Sequence, residues 1–140
     1  MLYREVLRLD TDNRQTIDIT KPIQNIINGH HAMMGLCNIF IPHTSASLMI
    51  CENADPQVRK DLEAFFSRLI PDGDPLFKHN DEGPDDMPAH IRTILTQCSL
   101  NIPFESGALS LGRWQGIYLY EHRFGKHQRE IIITVHGIDT

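Results

Sequence analysis

The sequence predicts a single α+β domain with a sheet-rich core and mainly antiparallel strands, in the order ββαββααβββ. Three observations predict it. The 140 residues, 41% hydrophobic and 22% charged, suit one soluble globular domain of ordinary size. The apolar runs read as two strands, a helix, two strands, two helices and three strands. No internal repeat, linker or low-complexity stretch divides the chain.

Each element has its own signal. Residues 2–9 and 15–19 are strand-like, with Asp12-Asn13 as a turn between them. Thr20 is placed to cap a short helix with Pro22 early, Ile23, Ile26 and Ile27 on one face, and Gly29 as its stop. Residues 36–52 form two apolar strands meeting at Pro42-His43-Thr44-Ser45, polar residues that belong at a sheet end because a central strand does not accommodate proline. Asp55-Pro56 then opens a helix whose Val58, Leu62, Phe65, Phe66 and Leu69 share an amphipathic face, stopped at Pro71-Asp72-Gly73. A second helix follows Asp85-Asp86, with Met87, Ile91, Ile94, Leu95 and Cys98 on one stripe. SLNIPFES, QGIYLYEHR and REIIITVHG supply three strands, the last two joined by a hairpin at Phe124-Gly125-Lys126.

Composition narrows the function. With 13 Lys+Arg against 18 Asp+Glu the net charge is −5, and no basic block is present for nucleic acid or an anionic membrane to recognise. No apolar run approaches the ~20 residues of a membrane span, and the first residues lack the pattern of a secretory signal, so a cytoplasmic protein is expected. A chain of this length can bury roughly two thirds of its unfolded surface, so any metal it binds serves function and not folding. Cys37, Cys51 and Cys98 show no ligand spacing and read as buried thiols, although Cys51 has no role that the sequence assigns.

The chemistry lies among the 8 histidines and their acidic neighbours. His79, Asp85, Asp86 and His90 bracket a long acidic loop and the start of a helix, and Asp86 and His90 fall on one helical face. Paired imidazoles with a carboxylate suit Zn²⁺, Mn²⁺ or Fe²⁺, although capping alone also accounts for Asp86. His43 is a third ligand candidate. His43-Thr44-Ser45 is no nucleophile elbow. Asn53 stands ahead of a helix N-terminus, which favours anions; capping explains Asp55 and leaves Asn53 unexplained. Gly107 to Gly116 holds the only Trp, Trp114, and reads equally as a turn or a substrate loop. It is neither a Walker A motif nor a GxGxxG motif. Glu121 and Arg129 are the functional candidates of an otherwise ordinary charged turn.

Taken together, HTSASLMICENADP, Asp61-Leu62, the His-x-x-Glu-Gly-x-Asp-Asp-Met-Pro-x-His run from His79 to His90, Pro103-x-x-x-Gly107, LGRWQGIYLYEHR and the final R-x-I-I-x-T-V-x-G closely resemble the YjbQ-like family, often labelled secondary thiamine-phosphate synthase. The likeness spans nearly the whole chain; the first 30 residues match loosely, so His30 and His31 inherit no role.

The resemblance implies a homotrimer with a histidine cluster near subunit boundaries and a divalent metal, Zn, Mn or Mg. His43, His79 and His90 match the family's histidines and are the expected metal ligands. Asn53, Asp86 and Glu121 are the expected catalytic residues; Ser45, Trp114, Gln115 and Arg129 are expected to bind a small phosphorylated substrate. The implied reaction joins a thiazole phosphate to a pyrimidine diphosphate and releases pyrophosphate, which needs a cation for the leaving group and an aromatic face for the pyrimidine. Two alternatives use the same residues. One is a metal-dependent hydrolase of a small phosphorylated or cyclic substrate, with Glu121 or Asp86 as base; the other is a non-catalytic trimer that binds a metal or metabolite.

Overall fold

The computed structural model describes residues 1–139. Its strands are β1 (Leu2–Asp12), β2 (Gln15–Asp18), β3 (Ala32–Phe40), β4 (Ala46–Glu52), β5 (Ser99–Glu105), β6 (Ala108–Leu109), β7 (Gln115–Glu121) and β8 (Lys126–Asp139). The helices are α1 (Thr20–Gly29), α2 (Pro56–Leu69) and α3 (Asp86–Leu95). The α+β expectation holds, with β6 the one strand the sequence does not announce. Two sheets form, β1-β8-β3-β5-β6 and β2-β7-β4, and every pairing is antiparallel.

The pairing departs from expectation at the last two strands. β7 and β8 do not form a hairpin: β7 is the centre of the smaller sheet and β8 lies between β1 and β3 in the larger one. β1 and β2, and β3 and β4, likewise fall in different sheets. Each of these three connections is therefore a corner at which the chain changes sheet. The corners are bonded to one another. The Asn13 N–H donates to the Gly125 carbonyl and the Gly125 N–H to Asn13 Oδ1, while the His122 N–H donates to the Ser45 carbonyl. Gly125, at φ +81°, supplies the left-handed turn that side-chain-bearing residues adopt poorly. β7 is buried on both faces and β8 on one, and each has a strand on either side, so pairing with each other would leave both sheets short of a centre.

The inner faces enclose the main core. Ile39, Leu48, Leu119, Ile131 and Ile133 are fully buried there, and α1 closes one side with Ile23 and Ile27. Thr20 does not cap α1; its hydroxyl oxygen accepts from the Ile117 N–H and ties the helix to β7.

α2 and α3 lie on the outer face of the smaller sheet, over Tyr118 and Tyr120. Asp55 caps α2 as expected, accepting from the Gln57 N–H at 2.9 Å, with Pro56 at the first turn. The buried face is not the expected one. Phe66 is the only fully buried residue of α2, whereas Val58, Phe65 and Leu69 are 37%, 49% and 55% exposed. The helix is turned so that Arg59 stacks on Tyr118, Leu62 and Phe66 touch the second core, and Glu63 meets Tyr120 and Arg92. α3 is turned likewise: Asp86, Pro88, Ala89 and Arg92 are buried, while Ile94 and Leu95 are exposed. Of the cysteines only Cys37 is buried, which pushes its thiol up to about 11; Cys51 is half-buried, and Cys98 is exposed in the segment after α3.

Candidate metal centre

Asp86 and His90 project from one face of α3, and the loop between α2 and α3 carries His79 to the same point. His79 Nε2 lies 2.8 Å from Asp86 Oδ2 and His90 Nε2 lies 3.2 Å from the same oxygen. One donor atom from each residue falls within 4.8 Å of the other two.

The loop is held there by Arg123. Its Nε donates to Asp85 Oδ2 at 2.8 Å, its Nη2 to the Glu82 carbonyl at 2.9 Å, and its Nη1 lies 3.1 Å from Asp86 Oδ1. Burial would raise the Asp85 carboxyl, but bonds from Arg123 and the Phe124 N–H prevail and hold it below its ordinary value. Gly73 and Gly83, both at positive φ, allow the loop to fold back, with the Gly73 N–H bonded to the Pro84 carbonyl.

The donor chemistry fits a divalent cation. His90 Nδ1–H donates to the Thr44 carbonyl at 2.8 Å, which leaves the Nε2 lone pair facing Asp86 Oδ2 in the neutral ring. A His90 lone pair directed at a carboxylate oxygen calls for a proton or a metal ion between them. A ring nitrogen fixed by a carbonyl on its far side is the usual arrangement of a histidine ligand. Two histidines and one carboxylate leave coordination positions open, as a catalytic site requires and a closed structural site does not. Asp86 is buried, but His79 and His90 reach solvent, and a cavity of about 370 Å³ beside His79 is walled by Phe77, Pro84 and Met87.

His43 lies outside this group of donors. Its Nε2 accepts the Glu130 N–H at 2.9 Å, and burial with the nearby Arg129 charge lowers its pKa below the ordinary histidine value. It lines a separate cavity with Arg8 and Arg129. Of the three expected histidine ligands the structure therefore brings two together, with Asp86 beside them.

Glu121, Arg129 and Ser45 are buried at the corners. Glu121 receives Arg129 Nε at 2.7 Å, Arg129 Nη2 at 2.6 Å, Thr11 Oγ1 at 2.6 Å and two backbone N–H groups; Arg129 Nη2 also donates to Ser45 Oγ at 2.9 Å. Burial would raise the Glu121 carboxyl, but these bonds outweigh it and hold it low. With its acceptor sites filled, Glu121 is built to fix the corners.

Asn53, Trp114 and Gln115 lie at the opposite end of β7. The Asn53 N–H donates to the Trp114 carbonyl, Gln115 Oε1 accepts the Gly112 N–H, and Trp114 is 55% exposed with the Arg113 guanidinium 4.9 Å from its ring. Seven strand residues, Gln115 to Glu121, separate the two ends, about 20 Å at ~3.3 Å per step.

Several residues of consequence carry no motif. Arg123 orders the loop that carries His79. His122 is fully buried with Nε2 hydrogen-bonded to Ser47 Oγ at 2.8 Å, and burial with the Arg92 charge pushes its pKa down to about 3. His122 shares the alternation of Tyr118 and Tyr120, a signal that places all three on the helix-covered face.

The model of the family described as UPF0047 protein YjbQ-like matches residues 5–138. This chain belongs to the YjbQ-like family. It is 46% identical over 135 residues to a YjbQ-like protein of Synechocystis, UPF0047 protein sll1880, covering 96% of this chain and 92% of that one. It is 41% identical over 138 residues to the YjbQ protein of Escherichia coli O157:H7, covering 98% and 99%. A crystal structure of a YjbQ/UPF0047 protein from Clostridium acetobutylicum is similar throughout, with a TM-score of 0.85, 36% identity, and 94% and 99% of the two chains covered. No helix among the described residues is long and apolar enough to cross a membrane.

Proposed function

We propose that this YjbQ-like protein is a metal-dependent enzyme of small phosphorylated or cyclic substrates, hydrolysis being the reaction its geometry supports best. The convergence of His79, Asp86 and His90 with open positions around them carries this reading. A divalent ion held there supplies Lewis acidity and a water of lowered pKa. The protein's own part is to fix the donors: Thr44 orients His90, Arg123 braces Asp86, and the loop carries His79 beside a cavity open to substrate.

The thiamine-phosphate synthase-like reaction is the second reading, and the Arg113–Trp114 stack favours it, because an aromatic face with an adjacent cation suits a pyrimidine bearing phosphate. In one subunit that stack lies at the far end of β7 from the corners. The synthase reading therefore needs the homotrimer, with Trp114 of one copy brought beside the histidines of another.

Calorimetry with Zn²⁺ and Mn²⁺ tests the shared premise. Saturable binding is expected for the wild type, weakened roughly 10–100-fold or more in His90→Ala. Unchanged affinity in that variant refutes both readings. Pyrophosphate release only when both thiamine precursors are present selects the synthase; metal-dependent phosphate release from a single substrate selects the hydrolase.

A further inference from the structure

Between β2 and α2 lies a further cavity, of about 460 Å³, whose lining includes Arg14, Thr16, Arg59, Lys60, Glu63 and Tyr120. Its charges are not equivalent. Arg14 is neutralised by a bidentate pair with Asp72, both bonds 2.7 Å long, and Glu63 is neutralised by Arg92. Arg59 and Lys60 have no ion-pair partner among the described residues. The cavity thus carries about two uncompensated positive charges on a chain whose net charge is −5.

Arg59 is also held in place. Its Nη1 donates to the Glu52 carbonyl at 2.8 Å and its guanidinium lies 4.7 Å from the centre of the Tyr118 ring. These contacts fix the plane of the group and leave its remaining N–H donors unused, so little conformational freedom is left to lose when an anion binds. The Thr16 hydroxyl and the Gln15 amide add neutral donors at the rim. Asp55 already caps α2, so the helix terminus is not what makes the site.

We propose that this cavity is a binding site for a small dianionic phosphate compound, separate from the metal centre. Two cations match the charge of a phosphomonoester, a planar guanidinium matches its oxygens, and the volume falls within the ~300–1,000 Å³ of small-molecule pockets while exceeding what a bare phosphate ion fills. Two cations are too few for a nucleic-acid backbone.

The site is tested on chelator-treated full-length protein, titrated with glycerol 3-phosphate and with inorganic phosphate while amide NMR shifts are followed. Saturable shifts at Gln15, Thr16 and Lys60 are expected. Tighter binding of the ester assigns the site to a phosphomonoester, and equal binding assigns it to the inorganic ion. Arg59→Gln and Lys60→Gln should each weaken binding roughly tenfold, the worth of one charge-assisted bond. Lys60 is exposed, so that variant tests charge without touching packing. Lys21→Gln, at another surface, should leave affinity unchanged, and so should His90→Ala, which keeps this result independent of the metal reading. Absence of saturation, shifts confined to the His79–His90 region, or undiminished binding in both cavity variants overturns the proposal.

Discussion

The two ends of β7 are built on opposite principles. At Glu121 the strand runs into three bonded corners where Glu121, Arg129 and Ser45 are buried and hydrogen-bonded to one another; at Gln115 it ends among Asn53, Arg113 and Trp114, which are exposed and loosely tied. Both ends carry residues that resemble the family's recurring positions. The difference teaches that such residues divide into those that hold the frame and those left exposed at the surface. Glu121 and Arg129 fall in the first group. Trp114 and Asn53 fall in the second.

The largest expected effect strikes the buried end. Arg129→Met leaves the Glu121 carboxylate without its ion partner and should destabilise the protein by about 3 kcal/mol or more, read as a lower urea midpoint. Glu121→Gln with Arg129→Met should cost less than the sum of the separate changes, because no charge is then stranded. A loss below about 0.5 kcal/mol in the single variant would show that Glu121 and Arg129 do not hold the frame.

Metal binding comes next. The loss in His90→Ala should not be reproduced by Trp114→Ala in a monomer, since one subunit holds the two residues at different ends. If light scattering shows a trimer and Trp114→Ala alters metal-dependent turnover with its metal affinity intact, the contrast belongs to the single chain and disappears in the assembly.

Acid should weaken the buried end selectively. His122 titrates near 6.5 when unfolded but is held at about 3 when folded, so the unfolded state binds more protons in between. Stability should fall as the pH is lowered from about 6.5 toward 3. Below about 4.5 Glu63, held at about 2 by Arg92, Ser67 and Tyr120 despite the opposing cost of burial, adds to the loss. His122→Gln should flatten the upper part of that dependence in urea titrations; an unchanged slope would show that another group controls it. The smallest effects belong to the exposed end, where Trp114→Ala and Asn53→Ala should each shift stability by less than about 0.5 kcal/mol.

The sequence revealed the elements more readily than their neighbours. Alternation and the Asp55-Pro56 start are local features, and both appear where expected. Which strands pair is decided by β7 and β8 each needing two neighbours, a competition that Phe124-Gly125-Lys126 does not reveal. The apolar stripe of α2 misled because Tyr118 and Tyr120 offer a floor on which Arg59 and Glu63 pack as well as leucine does. At the candidate centre, helical spacing placed Asp86 with His90, and the loop pattern supplied His79. His43 shares their chemistry but not their position, because its Nε2 is engaged by the Glu130 N–H.

The place of β8 has a consequence for how the chain is made. β8 spans Lys126–Asp139 and separates β1 from β3, so β1 has no sheet neighbour, and β3 has β5 alone, until these residues have left the ribosome. The pairing of Leu2 with His136 joins nearly the full length of the chain, the kind of distant contact that slows folding. During synthesis β1 and the apolar strand β3 present open edges to other nascent chains, and the interval before the last strand emerges is when this protein is most exposed to aggregation.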